Sequence, residues 1–274
     1  MTNVHRTLLF DAPGARLAGE RHDGGVPVVV ALHAGVADRR SWRDMVAHLD
    51  GSATVVSYDR RGYGETPRSS ARFSDLDDLV HVLEELNERS VWLLGSSMGG
   101  RLALDLALRA PDRVAGLILL SPAVSGAPEP DLDPDTQRLS DLIDHALVAE
   151  DLDELNRLET WLWLDGPGSE EGRVGDPARA LALAMNATVI ANESEQAELG
   201  SDPEVGAWSR LSQISAPATV ACGTLDVPAF SVRSRSLANG LPHGEFVALE
   251  GVAHLPSLES PELVAQLVSR ALKG

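Results

Sequence analysis

The chain predicts an α/β fold: a mostly parallel sheet of eight strands flanked by helices, with one all-helical insertion. Three observations predict it. Short apolar runs alternate with helix-like segments through residue 123 and again after residue 207. The central runs are continuously apolar, as strands buried on both faces are. Between residues 124 and 206 no strand-like run occurs, and helix-like segments follow one another. With 274 residues, 43% of them hydrophobic, the chain is long enough for one large domain with a substantial core.

Residues 7–10 and 16–21 read as a pair of short strands joined through Asp11-Ala12-Pro13-Gly14. Residues 27–32, Pro-Val-Val-Val-Ala-Leu, form the third strand and end at His33-Ala34-Gly35-Val36. Ser41 is expected to cap a helix over residues 42–49, and residues 53–58 form the fourth strand. A glycine-rich loop, residues 59–67, follows. Ser74 has the residue type and position of an N-cap for a helix over 75–86, where Leu76, Leu79, Val80 and Leu83 recur at helical spacing. A strand over 91–94, a helix over 101–108 stopped at Pro111, and a strand over 114–120 complete the first half. Strand, helix, strand, helix, strand implies parallel pairing through right-handed crossovers.

The rhythm breaks at Ser121-Pro122. Residues 127–135, rich in Pro and Asp, read as a linker, and helices are expected over 136–149, 152–163, 178–192 and 193–199. Alternation then resumes with a strand over 219–223, a helix over 230–241 and a strand over 245–249. Ser260-Pro261-Glu262 opens the last helix, with Ser as N-cap and Pro at the first helical position. The expected division is a core of residues 1–123 and 207–274, with a helical cap of residues 124–206 inserted.

The formal net charge of −18 argues against a nucleic-acid partner. It is unevenly spread: residues 125–206 hold 20 acidic residues and 4 arginines, whereas the rest of the chain is nearly balanced. Two readings of that segment stand, a solvated helical surface or a device that repels anions. No run of about 18 apolar residues suggests a membrane span, and the first residues lack the pattern of a signal peptide, so a cytoplasmic protein is expected. Cys222 is the only cysteine, which excludes an intrachain disulfide and a cysteine-rich zinc site. No metal or cofactor is expected, and the chain is expected to act as a monomer or homodimer.

Chemistry concentrates at Gly95-Ser96-Ser97-Met98-Gly99, a G-x-S-x-G between the fifth strand and its helix. A bare match occurs by chance. Between strand and helix, it places the middle hydroxyl at the sheet edge on a sharp turn with φ > 0, and flanking glycines allow the close backbone approach. A serine hydroxyl is a weak nucleophile until a base takes its proton. His254, in the loop between the last strand and the last helix, lies at the same sheet edge. His48, His81 and His145 fall inside helices, and His5, His22 and His243 fall in terminal or turn segments. Asp226, after the preceding strand, is the acid that would orient His254. The position after the 114–120 strand holds Ser121-Pro122 and no carboxylate.

The order Ser97, Asp226, His254 is that of the α/β-hydrolases, and the sequence resembles that family over nearly its whole length. His33-Ala34-Gly35 resembles its His-Gly-x loop, with Ala34 where the family usually has glycine. Asp59-Arg60-Arg61-Gly62-Tyr63-Gly64 resembles its Asp-x-Arg-Gly-x-Gly loop, and His254-x-Pro256-x-x-Glu259-x-Pro261 its histidine loop. The resemblance implies an oxyanion hole made by the N–H groups of Gly35 and Met98, a structural His33, and a helical cap.

Serine at the elbow points to acyl chemistry, since family members that open epoxides or displace halides carry Asp there. The expected enzyme cleaves a small carboxylic ester or lactone. Open alternatives are an enol-lactonase or carbon–carbon bond hydrolase of aromatic catabolism, an accompanying perhydrolase activity, and a ligand-binding module that keeps the fold without turnover. An acidic cap facing the pocket would disfavour anionic substrates. Trp161, Trp163, Leu164 and Met185 are the cap residues expected near the pocket; Trp161 and Trp163, two apart, cannot share a helix face. Trp42 is expected to pack behind the oxyanion loop, and Cys222 to be a small core residue.

Overall fold

Five-residue runs such as Val-Val-Val-Ala-Leu and Thr-Val-Val-Ser-Tyr are too short for a helical period and rich in β-branched residues, so they suit central strands. In a computed structural model that describes residues 5–203 and 205–273, for 193–198 the backbone only, Val28–Leu32 (β3) and Thr54–Tyr58 (β4) are buried at every position. Val91–Ser96 (β5), Val114–Leu120 (β6), Ala218–Gly223 (β7) and Gly244–Leu249 (β8) continue the parallel sheet. His5–Ala12 (β1) and Ala15–His22 (β2) form a hairpin that joins the edge through β4, antiparallel. The order is β1-β2-β4-β3-β5-β6-β7-β8.

That order fixes where a site can form. From β3 the chain moves outward to β4, then crosses back to β5 and proceeds the other way. The carboxyl ends of β3 and β5 therefore flank the switch point, where the loops diverge and leave a crevice. Leu32 of β3 pairs with Gly95 of β5, so the loops that begin at His33 and Ser97 start side by side.

Helices cover both faces. Asp75–Leu86 (α2), Met98–Arg109 (α3) and Pro228–Gly240 (α7) bury Leu79, Leu83, Leu104 and Leu237 against one face. Arg43–Ala47 (α1) and Pro261–Ala271 (α9) bury Met45, Val264 and Val268 against the other, with Trp42. A short helix, Pro256–Glu259 (α8), precedes α9. Ser74 caps α2 as its type predicts, accepting the Asp77 N–H at 3.1 Å.

Between β6 and β7 lie Pro134–Val148 (α4), Leu152–Thr160 (α5) and Ala178–Leu199 (α6), with no strand of the sheet among them. The stretch expected as two helices, 178–192 and 193–199, is one, because neither Gly nor Pro interrupts it. The helix expected over 152–163 stops being α at Thr160 and widens into a single π-helical turn, Trp161–Asp165. The first-half helix also starts differently. Asp38, not Ser41, caps it: the Asp38 carboxylate accepts the Arg40 N–H at 2.9 Å and opens a 3₁₀ turn, Arg39–Trp42, while the Ser41 hydroxyl donates back to the Asp38 carbonyl. A carboxylate already paired with the Arg40 side chain is the better-held acceptor. Ser260 makes no side-chain cap; Pro261 alone opens α9. Among the described residues no helix is long and apolar enough to cross a membrane.

Candidate active site

Ser97 sits at φ 50° and ψ −112°, a conformation an L-residue holds only when its surroundings enforce it. They do. Its N–H donates to the Leu120 carbonyl at 2.9 Å, and its own carbonyl accepts from Gly100, Arg101 and Ala123 at 2.9, 3.1 and 3.0 Å. The flanking glycines are steric requirements. A Cβ on Gly95 would lie 2.5 Å from the Gly99 carbonyl oxygen, and one on Gly99 would lie 2.1 Å from the Leu32 carbonyl oxygen. Strand β5, helix α3 and the end of β3 thus close on one another at backbone distance, leaving the Ser97 side chain half-buried at the sheet edge. Met98 begins α3, so its N–H has no intrahelical acceptor and lies at the positive end of the helix dipole.

Gly35 faces Met98: a Cβ there would approach the Met98 Cγ to 3.3 Å. Ala34 is not among the residues with positive φ, so alanine is accommodated without backbone strain. His33 holds this loop. Its Nδ1–H donates to the Ala34 carbonyl at 2.8 Å and its Nε2 accepts the Arg60 N–H at 3.1 Å, which together set the tautomer. Burial, with the Arg60 charge beside it, holds its pKa well below the usual histidine range. His33 is a neutral loop residue that ties the end of β3 to the end of β4.

Asp226 and His254 come from the loops after β7 and β8, which pair through Gly223 and Leu249. The loops touch closely enough that a Cβ on Gly223 would lie 2.2 Å from the Val252 carbonyl oxygen. The His254 Nδ1 lies 3.0 and 2.9 Å from the two Asp226 carboxylate oxygens, and both side chains are buried. Oδ1 also accepts the Val227 N–H at 2.7 Å, and the Cys222 thiol lies 3.5 Å from Oδ2. Asp226 therefore lies only two residues before α7, nearer that helix than the sequence suggested, yet its carboxylate turns to His254 and Val227. Cys222 is buried as expected and also adjoins the acid; burial, with Asp226 beside it, pushes its thiol pKa up to about 12.

Two rings pack on the imidazole and meet each other edge to face at 6.2 Å. Trp163 lies 4.7 Å from His254 and Phe230 lies 4.6 Å from it, centroid to centroid. Phe230 was not foreseen; its one sequence signal is an aromatic in the first turn of the helix that follows Asp226. Trp161 points elsewhere, its indole N–H donating to the Ser169 carbonyl at 2.9 Å under the Arg138 guanidinium. Leu164 and Met185 are fully buried and pack with Ala34, Ala37, Leu255 and Leu258, above the loop after β3.

A cavity of about 200 Å³ adjoins Met98 and is walled by Arg60, Arg61, Tyr63, Phe73 and Val189. Its cations are paired. The Arg60 guanidinium lies 3.2 Å from Asp75 and stacks on the Tyr63 ring at 4.3 Å, while Arg61 forks onto both oxygens of Asp78 at 2.7 Å. Asp202, also in this wall, accepts from Ser74 and from the Leu76 N–H.

The strand order, the switch point beside β3 and β5, and the strained serine after β5 are the architecture of a hydrolase. A model of the alpha/beta hydrolase family matches residues 29–267, and the chain belongs to that family. It is 28% identical over 256 residues to a putative 2-succinyl-6-hydroxy-2,4-cyclohexadiene-1-carboxylate synthase of Bacillus subtilis, covering 89% of each chain. It is also 28% identical over 256 residues to a pimeloyl-[acyl-carrier protein] methyl ester esterase of Vibrio atlanticus, covering 91% of this chain and 96% of that one. Among solved structures it resembles a thermophilic esterase from Thermogutta terrifontis, with a TM-score of 0.71, 24% identity and 98% of both chains covered.

Proposed function

We propose that this protein is a serine hydrolase that cleaves a small, uncharged carboxylic ester or lactone through an acyl-enzyme on Ser97. The observation that carries the reading is the Ser97 backbone. A serine at positive φ held by four backbone hydrogen bonds is a strained conformation of the kind that carries a nucleophile, and it lies at the carboxyl end of β5, the sheet edge from which the loops of Asp226 and His254 also leave. In the proposed reaction the Ser97 Oγ attacks the carbonyl carbon while His254 Nε2 takes its proton. Asp226 accepts from Nδ1–H, which keeps Nε2 free as the base and stabilises the imidazolium. The N–H groups of Gly35 and Met98 donate to the oxyanion. His254 returns the proton to the leaving alcohol oxygen, then activates a water that cleaves the acyl-enzyme and frees the acid.

Residues 124–206 act as a cap over this edge in the same reading. The preference for an uncharged substrate rests on the cavity beside Met98. Arg60 and Arg61 already have carboxylate partners there, and Asp202 adds a further acid, so among the described residues of this wall an entering carboxylate would meet no guanidinium without a carboxylate partner. The ester named for the Vibrio relative accords with ester chemistry. A turnover panel of p-nitrophenyl esters, lactones and anionic dienoate-type compounds tests the reading. Neutral esters or lactones should be turned over and anionic compounds should trail; a preference for the anionic compounds would contradict it.

A further inference from the structure

We propose that Trp163 and Arg173, both from the helical cap, are positioning residues for His254, so that seating of the cap completes the catalytic base. The inference rests on reading His254 as that base. The loop that carries His254 has no regular structure between Leu249 and Pro256. The Leu225 N–H donates to its Val252 carbonyl at 2.9 Å, and its Leu255 carbonyl accepts from Leu258 and Glu259 at 3.0 and 3.2 Å, while His254 itself makes no backbone–backbone hydrogen bond among the described residues. The Ala253 N–H donates to Glu259 Oε2 at 2.8 Å, and the Gly251 N–H donates to the Thr224 hydroxyl at 2.9 Å. Arg173 reaches into this arrangement from the cap. Its Nη1 pairs with Glu259 Oε1 and lies 3.3 Å from the Gly251 carbonyl oxygen. Its Nε and Nη2 donate to the Asp165 and Leu164 carbonyls at 2.8 and 3.1 Å. One guanidinium thus links the end of the π turn to the start of the histidine loop and to the carboxylate that holds Ala253.

The backbone makes the same junction. Gly166 ends the π turn at φ 91°, and a Cβ there would lie 2.1 Å from the Leu225 carbonyl oxygen and 3.4 Å from the Ala253 Cβ. Leu225 precedes Asp226 and Ala253 precedes His254, so the cap chain rests on both loops of the pair. The π turn also shifts the helical phase. Trp161 turns to Arg138 and Ser169, whereas Trp163 lies against the imidazole and edge-on to the Phe230 ring, 6.2 Å away, which packs on the same imidazole from α7. The Asp226 carboxylate fixes Nδ1 but leaves the ring able to swing about that contact. Rings packed from the cap and from α7 restrict that swing and exclude water around it.

The test is hydrolysis of p-nitrophenyl butyrate by Trp163→Leu and Arg173→Met. Each should lower kcat by roughly 10- to 100-fold while KM stays within about threefold, the split expected when geometry at the reacting centre is lost and binding is not. Trp163→Phe, which keeps an aromatic ring, should recover to within about threefold of the unmodified enzyme. In a His254→Ala background neither substitution should lower the residual rate by more than about twofold, because a residue that acts through the base has nothing left to position. Rates within twofold of normal for both single variants would overturn the proposal, as would equal losses with and without His254. If His254→Ala itself keeps the normal rate, the base assignment has failed and the inference falls with it.

Discussion

Asp226→Asn isolates the contribution of the buried acid with little change of shape. Asparagine keeps an oxygen for the Val227 N–H, now 2.7 Å from Oδ1, so the loop should stay in place. The charge opposite His254 disappears. A full positive charge on Nδ1, about 3 Å from the carboxylate, is worth roughly 5 kcal/mol at an effective dielectric of about 20. Spreading that charge over the ring lowers the figure to about 3–4 kcal/mol, and each factor of ten in rate is about 1.4 kcal/mol. The amide NH₂ also favours the tautomer that carries its proton on Nε2, which removes the base. The expected result is a loss of kcat of about 10³-fold or more, approaching 10⁴ where the tautomer effect is complete. The assay is steady-state hydrolysis of p-nitrophenyl butyrate, with circular dichroism and thermal melting to confirm the fold. A loss below tenfold in a folded variant would refute the assignment of Asp226 as the orienting acid.

Gly99→Ala places a Cβ 2.1 Å from the Leu32 carbonyl oxygen and 2.5 Å from its carbon, backbone atoms that cannot give way as a flexible side chain could. It should destabilise the fold by about 3 kcal/mol or more, read from the denaturant midpoint; an unchanged midpoint would mean that β3 and α3 are not in such close contact. Cys222, buried and with its thiol pKa pushed up to about 12, holds its proton in the folded state up to strongly alkaline pH. Iodoacetamide at pH 8.5 should leave the folded protein unmodified and alkylate it once unfolded; rapid labelling of the folded protein would contradict that burial.

Much of the fold is legible because its determinants are local. Short continuous apolar runs bounded by turn residues fit buried strands, and β3, β4 and β6 lie where the runs do. Helix starts are legible where one side chain dominates, as at Ser74. At Asp38 the cap is held by its contact with the Arg40 side chain, which residue type alone does not reveal, and so Ser41 is the residue expected. The π turn at Trp161 ends at Gly166 against Leu225 and Ala253, contacts between residues far apart in the chain that local periodicity does not contain. Ser97, Asp226 and His254 were placed at one sheet edge by counting strands. The Asp226–His254 hydrogen bonds then follow from the pairing of β7 with β8. What counting could not reach is the wall around them. Phe230 and Arg173 meet the histidine loop through tertiary packing alone, and the charge state of the cavity depends on Asp75 and Asp78 facing Arg60 and Arg61.

The central claim is that Ser97 is the nucleophile activated by His254. Incubation with a fluorophosphonate probe, followed by intact-mass and peptide mass spectrometry, tests it most directly. The account predicts one covalent adduct per chain, on Ser97, with loss of esterase activity in proportion to labelling, and no adduct on Ser97→Ala. Labelling at another residue, or unimpaired ester hydrolysis by a folded Ser97→Ala variant, would contradict it.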